Sequence, residues 1–178
     1  MSPRPGLLTA LALSALTFTG CATMNVNSYA ERGITFTQYH SYNWDAAGPA
    51  ATGDPRLDNN PFFNERVQVD VEKRLASRGF EKAASGMPEL MIHYHMSINQ
   101  RVDLNGADQK YGSCDTCQPY VFEAGTLIID FVDTRTNKVV WRGWAEGAMD
   151  GAIDDQKLME QRIDATVTRI LERFPPGL

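Results

Sequence analysis

The sequence predicts an α+β fold, a β-α-β-β-β-α two-layer sandwich with a largely antiparallel sheet and two helices packed on one face. Three observations carry that expectation. Residues 89–98 and 125–133 alternate apolar and polar side chains, the period of half-buried strands. Residues 61–75 and 159–174 carry apolar side chains at helical spacing. Residues 133–137 form a polar turn between two strand-like runs, which predicts a hairpin.

Taken in order, residues 24–33 read as a short tether, already close to strand-like, and residues 34–44, rich in Thr, Phe, Tyr and Trp, as a strand. Ala, Gly, Pro and Asp cluster in 45–59, a loop. Asn60 stands at a helix N-cap, and Pro61 follows at the first helical position, where its missing N–H costs nothing. Phe63, Val67, Val71 and Leu75 recur every four residues, and Gly79 supplies a left-handed stop against which Phe80 folds back. In the next strand Leu90, Ile92, Tyr94, Met96 and Ile98 point one way, and Met91, His93, His95 and Ser97 the other. Residues 99–123 read as a long polar loop or ragged hairpin. Leu127, Ile129 and Phe131 mark the following strand, and Asn137 tolerates the left-handed turn conformation. In the return strand, 138–149, Val140 and Trp144 are expected opposite Val139 and Trp141, with Arg142 and Glu146 on the Trp144 side. Asp154 and Asp155 open the second helix, where negative charge suits the dipole. Its stripe is Met159, Ile163, Val167, Ile170 and Phe174, and Pro175 and Pro176 end it.

Composition bounds the function. The chain has 178 residues, 43% hydrophobic and 22% charged, with a net charge of -5. Scattered charge of both signs with an acidic excess leaves no basic stripe to neutralise phosphates, so nucleic acid is not an expected partner. A polybasic membrane patch is excluded on the same ground.

The N-terminus supplies another route to a membrane. Arg4 precedes an uncharged, Leu- and Ala-rich run over 7–18, too short to span a bilayer. Thr19 and Gly20 then lead to Cys21. This resembles a lipobox, with Phe18 in place of the usual Leu. The resemblance implies a signal peptide over 1–20, a diacylglycerol thioether on Cys21, cleavage before it and acylation, palmitate included, of the new amino group. Residues 21–33 then form the anchor and tether, and 34–178 one domain. Several acyl chains make anchoring stable where one is marginal. With Ala22 and Thr23 after the cysteine, and no Asp, the expected address is the outer membrane, facing the periplasm.

An exported domain meets an oxidising compartment. Two of the three cysteines remain, Cys114 and Cys117. The expected reading is a small structural disulfide that pins a loop. A thioredoxin-like site needs its pair at a helix N-terminus, and Pro119 with the strand-like residues after it opposes that. The alternative is a metal site, with Cys114, Cys117, His93 and His95 as two sulfurs and two nitrogens around a tetrahedral ion. No nucleophile elbow surrounds any serine. The acidic group Asp150, Asp154 and Asp155 lacks the alternating oxygen ligands of a calcium loop.

Four blocks carry a family resemblance. They are Phe36-Thr-Gln-Tyr39-His-Ser-Tyr42-Asn-Trp44; Pro88-Glu89-Leu90-Met-Ile-His-Tyr94-His95; Gly125-Thr-Leu-Ile-Ile-Asp130-Phe-Val-Asp133 with Lys138-Val-Val-Trp141-Arg142-Gly143-Trp-Ala145-Glu146-Gly147; and Phe174-Pro175-Pro176. Together they resemble domain-of-unknown-function family 4136, whose members look like small exported bacterial lipoproteins. The segment around Cys114 lies outside that pattern. The resemblance implies an address and an architecture and brings no activity. The expectation is therefore a membrane-anchored, non-enzymatic envelope module without cofactor, binding another envelope protein, a lipid or the cell wall.

Overall fold

The computed structural model describes residues 24–48, 51–58, 60–103, 120–149 and 151–175, with Val102, Asp103 and Tyr120 described by backbone alone. The strands are β1 (Met24–Ala30), β2 (Ser41–Trp44), β3 (Glu81–Lys82), β4 (Leu90–Asp103), β5 (Tyr120–Asp133) and β6 (Lys138–Ala148). The helices are α1 (Pro61–Ala76) and α2 (Gln156–Leu171), with a single 3-10 turn at Phe36–Gln38. The six strands form one sheet in the order β1-β6-β5-β4-β2-β3.

The fold is α+β, but the sheet is mixed rather than largely antiparallel. β1, β6, β5 and β4 pair antiparallel, whereas β2 runs parallel to both β4 and β3. The cause is connectivity: α1 carries the chain from β2 back across the sheet, and a crossover of that kind returns the next strand parallel.

The tether expectation also fails beyond residue 23. Met24–Ala30 is an edge strand, with Met24 opposite Gly147 and Ala30 opposite Trp141. Its sequence hides this, because only Met24 and Val26 pack against the core and the rest of the strand is exposed. The strand expected over 34–44 is shortened to Ser41–Trp44, since Thr35 to Gln38 curls into the 3-10 turn that buries Phe36. Of the two readings of 99–123, a polar loop or a ragged hairpin, the hairpin holds for the described part: β4 and β5 continue as a two-stranded arm, pairing as far as Asp103 with Tyr120.

The apolar stripes and the Gly79 stop act as expected, whereas α2 ends at Leu171, three residues before Phe174, which was expected within its stripe. Phe63, Val67, Val71 and Leu75 are buried, Gly79 takes φ 81°, and the Phe80 amide donates to the Leu75 carbonyl at 3.1 Å. Asn60 occupies the N-cap of α1 without a side-chain cap, while Asp155 caps α2 by accepting from the Leu158 amide at 2.9 Å. Asp155 thus serves the helix start. The stripes of both helices join one buried cluster with Leu90, Ile92, Leu127, Ile129, Phe131 and Trp141.

Phe174, just past α2, is the hub of that cluster. Its ring centroid lies 4.8 Å from Phe131, 5.1 Å from Trp141, 5.4 Å from Phe36 and 5.8 Å from Phe80. Edge-to-face contacts of this kind add to area burial. The β5–β6 hairpin holds one irregularity: Phe131 pairs with Trp141 but Val132 pairs with Val139, so Val140 is an extra residue. Val140 and Trp141 are therefore both buried, where simple alternation sets them on opposite faces.

At the end of the sheet where β1 begins, Met24, Met96, Met149 and Met159 surround an apolar cleft together with Phe63, and Arg162 stands at its lining. Gly125 leaves room for the Met149 side chain in the cleft lining, since a Cβ there would meet Met149 Cγ at 2.7 Å.

Candidate functional site

Side chains of the opposite parity to the core form the second face of the sheet, and this face collects the polar residues that sequence reasoning singled out. Register aligns them in rows. Tyr29, Arg142, Asp130 and His93 make one row, Asn27, Trp144, Ile128 and His95 the next, and Asn25, Glu146, Thr126 and Ser97 a third. His95 and Arg142 are exposed, and Trp144, Ile128 and His93 are half-buried.

One ion pair and one histidine–carboxylate contact shape the first row. Arg142 donates from Nε and Nη2 to the two oxygens of Asp130, each at 2.6 Å. Asp130 is buried and Arg142 half-exposed, so the guanidinium lies over the carboxylate as a lid. The hydrogen bonds to Asp130 push the Arg142 pKa further up. Beside them His93 Nδ1 lies 3.2 Å from Asp45 Oδ2. A carboxylate on one imidazole nitrogen fixes the ring orientation and leaves Nε2 as the outward atom. None of the cross-strand or i±2 neighbours of His93 carries a hydroxyl or a thiol.

His93 and His95 do share a face, as their spacing predicts, but Asp45 engages His93. Among the described residues no three His, Cys, Asp or Glu side chains converge on a metal-sized site. Cys114 and Cys117 lie outside the described residues, as do Cys21 and the segment 1–20. His40 is exposed, with Nδ1 3.2 Å from the Gln38 carbonyl.

The sequence places Arg142 on the Trp144 face; what it misses is Asp45, Asp130 and the pairing of Asp130 with Arg142. Asp130 interrupts an apolar run and Arg142 follows twelve residues later across a turn. That is the one signal that could have paired them, and reading it needs the bulged register.

The blocks 36–44 and 88–95 meet at the end of the sheet away from the Met-lined cleft, whereas Gly125, Leu127, Ala145 and Gly147 of the third block line that cleft. Glu89 Oε2 accepts from the His40 amide at 2.7 Å, the Ser41 amide at 2.9 Å and the Ser41 hydroxyl at 3.1 Å. Trp44 Nε1 donates to Glu72 Oε1 at 2.8 Å, and Tyr94 donates to Asn64 Oδ1 at 3.0 Å. These residues build the fold. The family model described as Domain of unknown function (DUF4136) matches residues 26–176. The chain belongs to this family. The match begins inside β1, which fits the edge strand's place in the domain.

No curated protein sequence matches the chain. Among solved structures, a PDZ domain protein from Parabacteroides distasonis is similar at TM-score 0.56 and 14% identity, over 88% of this chain and 36% of that one. The PelC dodecamer from Paraburkholderia phytofirmans is similar at TM-score 0.47 and 8% identity, over 84% of this chain and 95% of that one. At such identity the first likeness concerns the fold alone.

Proposed function

We propose that this DUF4136 domain is a lipid-anchored envelope protein, held at the periplasmic side of the outer membrane through Cys21, and that it acts as a non-catalytic binding or assembly module. The observation that carries the reading is the second face of the sheet. Both described helices pack against the core side, so among the described residues no helix covers the row of Trp144, Ile128 and His95 beside Arg142 and His93, which supports an external partner there. The row mixes an aromatic, an aliphatic and hydrogen-bonding groups, the composition of a protein contact rather than of a solvated surface. The anchor reading is supported by the 7–18 apolar run, Gly20 and Cys21.

The test uses the full chain in a Gram-negative host. Trp144 is replaced by p-benzoylphenylalanine, and Lys73, exposed on α1, receives the same replacement as control. Irradiation of intact cells is expected to give a discrete cross-linked protein species from position 144 and none from position 73. Cys21→Ser is expected to abolish labelling by an alkyne palmitate analogue and to release the chain from the membrane fraction. No cross-link at 144 overturns the binding role, and unchanged labelling of Cys21→Ser overturns the anchor.

A further inference from the structure

We propose that the Met-lined end of the domain, with the arm of β4 and β5 beside it, rests directly on the lipid surface that holds Cys21. This rests on the acylation of Cys21 and adds an orientation to it.

The length of the chain before β1 carries the argument. Met24 is already paired into the sheet, opposite Gly147. Three residue steps separate it from Cys21, a leash of at most about 11 Å when fully extended. Gly147 pairs in turn with Gly125, which sets the level at which the leash is attached. Beyond that level β5 runs on to Tyr120, paired with β4 throughout, and five strand residues reach about 17 Å. The arm points the way β1 enters the sheet, and it is longer than the leash. A domain tied this closely to a bilayer brings the arm to the lipid surface. The opposite end, the Asp133–Lys138 turn, lies eight β5 residues in the other direction, about 27 Å away, beyond what the leash allows to touch.

The chemistry of the two ends agrees. At the leash end Met24, Met96 and Met149 are each half-buried around the apolar cleft, and Val121 on the arm is 54% exposed. Methionine side chains are unbranched and adapt to irregular apolar neighbours such as acyl chains. Arg162 lines the same cleft and makes no ion pair among the described residues, so its cation is available to a lipid phosphate. The far turn presents Arg135, Thr136, Asn137 and Lys138, all exposed and none apolar.

The purified mature lipoprotein, reconstituted in vesicles of phosphatidylethanolamine and phosphatidylglycerol carrying a diazirine phosphatidylethanolamine, tests the orientation. Intact mass first reports the acyl groups on Cys21. Irradiation and peptide mapping then locate the phospholipid adducts. The expected result is an acylated chain with adducts concentrated on 96–101, 121–125 and 147–149 and absent from 133–138. An acylated chain with adducts spread evenly, concentrated on the far turn or lacking altogether overturns the orientation and leaves the anchor standing. A chain without acyl mass overturns both.

Discussion

The Tyr39 hydroxyl donates to Asp133 Oδ2 at 2.7 Å, linking the turn before β2 to the end of β5. Asp133 also accepts at Oδ1 from the Arg135 amide at 2.9 Å and the Thr136 amide at 2.8 Å. One carboxylate thus closes the β5–β6 turn and ties it to a segment 94 positions earlier. Burial pushes the Asp133 pKa up, but the hydrogen bonds from Tyr39, Thr136 and Arg135 outweigh it and hold it at about 2. Burial first, and then the bond to Asp133, push the Tyr39 pKa up to about 12.

Acid stability should follow from this pair. An unfolded Asp titrates at about 3.9. A folded pKa below that value means stability is fully present above about pH 4 and is lost as pH falls toward 2. Tyr39→Phe removes one donor and raises the Asp133 pKa, so its stability falls by about 1 kcal/mol at neutral pH. The deficit relative to the native chain should narrow between pH 4 and pH 2. Urea unfolding across that range checks both; a deficit independent of pH would assign Asp133 no part in it.

Gly143 is expected to resist any side chain. A Cβ there would meet Trp141 Cη2 at 2.3 Å and Ile170 Cγ2 at 2.6 Å. The Trp141 indole lies across the glycine two residues on, in the space a side chain would fill, and α2 closes over it. Gly143→Ala therefore overpacks a filled core and should cost roughly 1–3 kcal/mol or more. Thermal unfolding of the variant reads the cost; an unchanged midpoint would show that the indole has room to move.

The Asp130–Arg142 pair separates fold from partner. Arg142→Ala leaves a buried carboxylate without its two donors, at an expected cost of about 2 kcal/mol. Asp130→Asn with Arg142→Ala should recover much of that loss, because no unpaired charge then remains. A double-mutant cycle by chemical unfolding measures the coupling. Additive losses would mean that the pair is solvated and interacts weakly.

Much of the fold is legible in the sequence where side-chain period and burial coincide. The four-residue stripe of α1, the left-handed Gly79 and Asn137, and the alternation around Ile92 and Ile129 each name their element before any coordinates are seen. What escapes has a physical cause. β1 is an edge strand with two packed residues and so carries too little apolar signal. β3 has two exposed residues and is a strand only because β2 offers hydrogen bonds to it. The arm beyond Ile98 is a strand pair with polar side chains such as Gln100 and Arg101, which leave loop and hairpin equally open in the sequence. The parallel pairing of β2 depends on where a helix returns the chain, which no local pattern encodes. For the candidate face, the shared orientation of His93 and His95 is readable from alternation. The Asp45 contact and the Asp130–Arg142 lid depend on loop path and bulge and are not.

The edge strand also sets an order of events. A chain that emerges N-terminus first releases β1 early, yet the partner of Met24 is Gly147, which emerges near the end. Contacts that distant in sequence close slowly. Until β6 arrives, residues 24–30 lack their sheet partner and their amides and carbonyls stay open to pairing with the wrong neighbour. Phe174 follows later still, so the aromatic hub locks only after the sheet is complete. Residues 24–30 therefore stay without their sheet partner for nearly the whole of the chain's emergence.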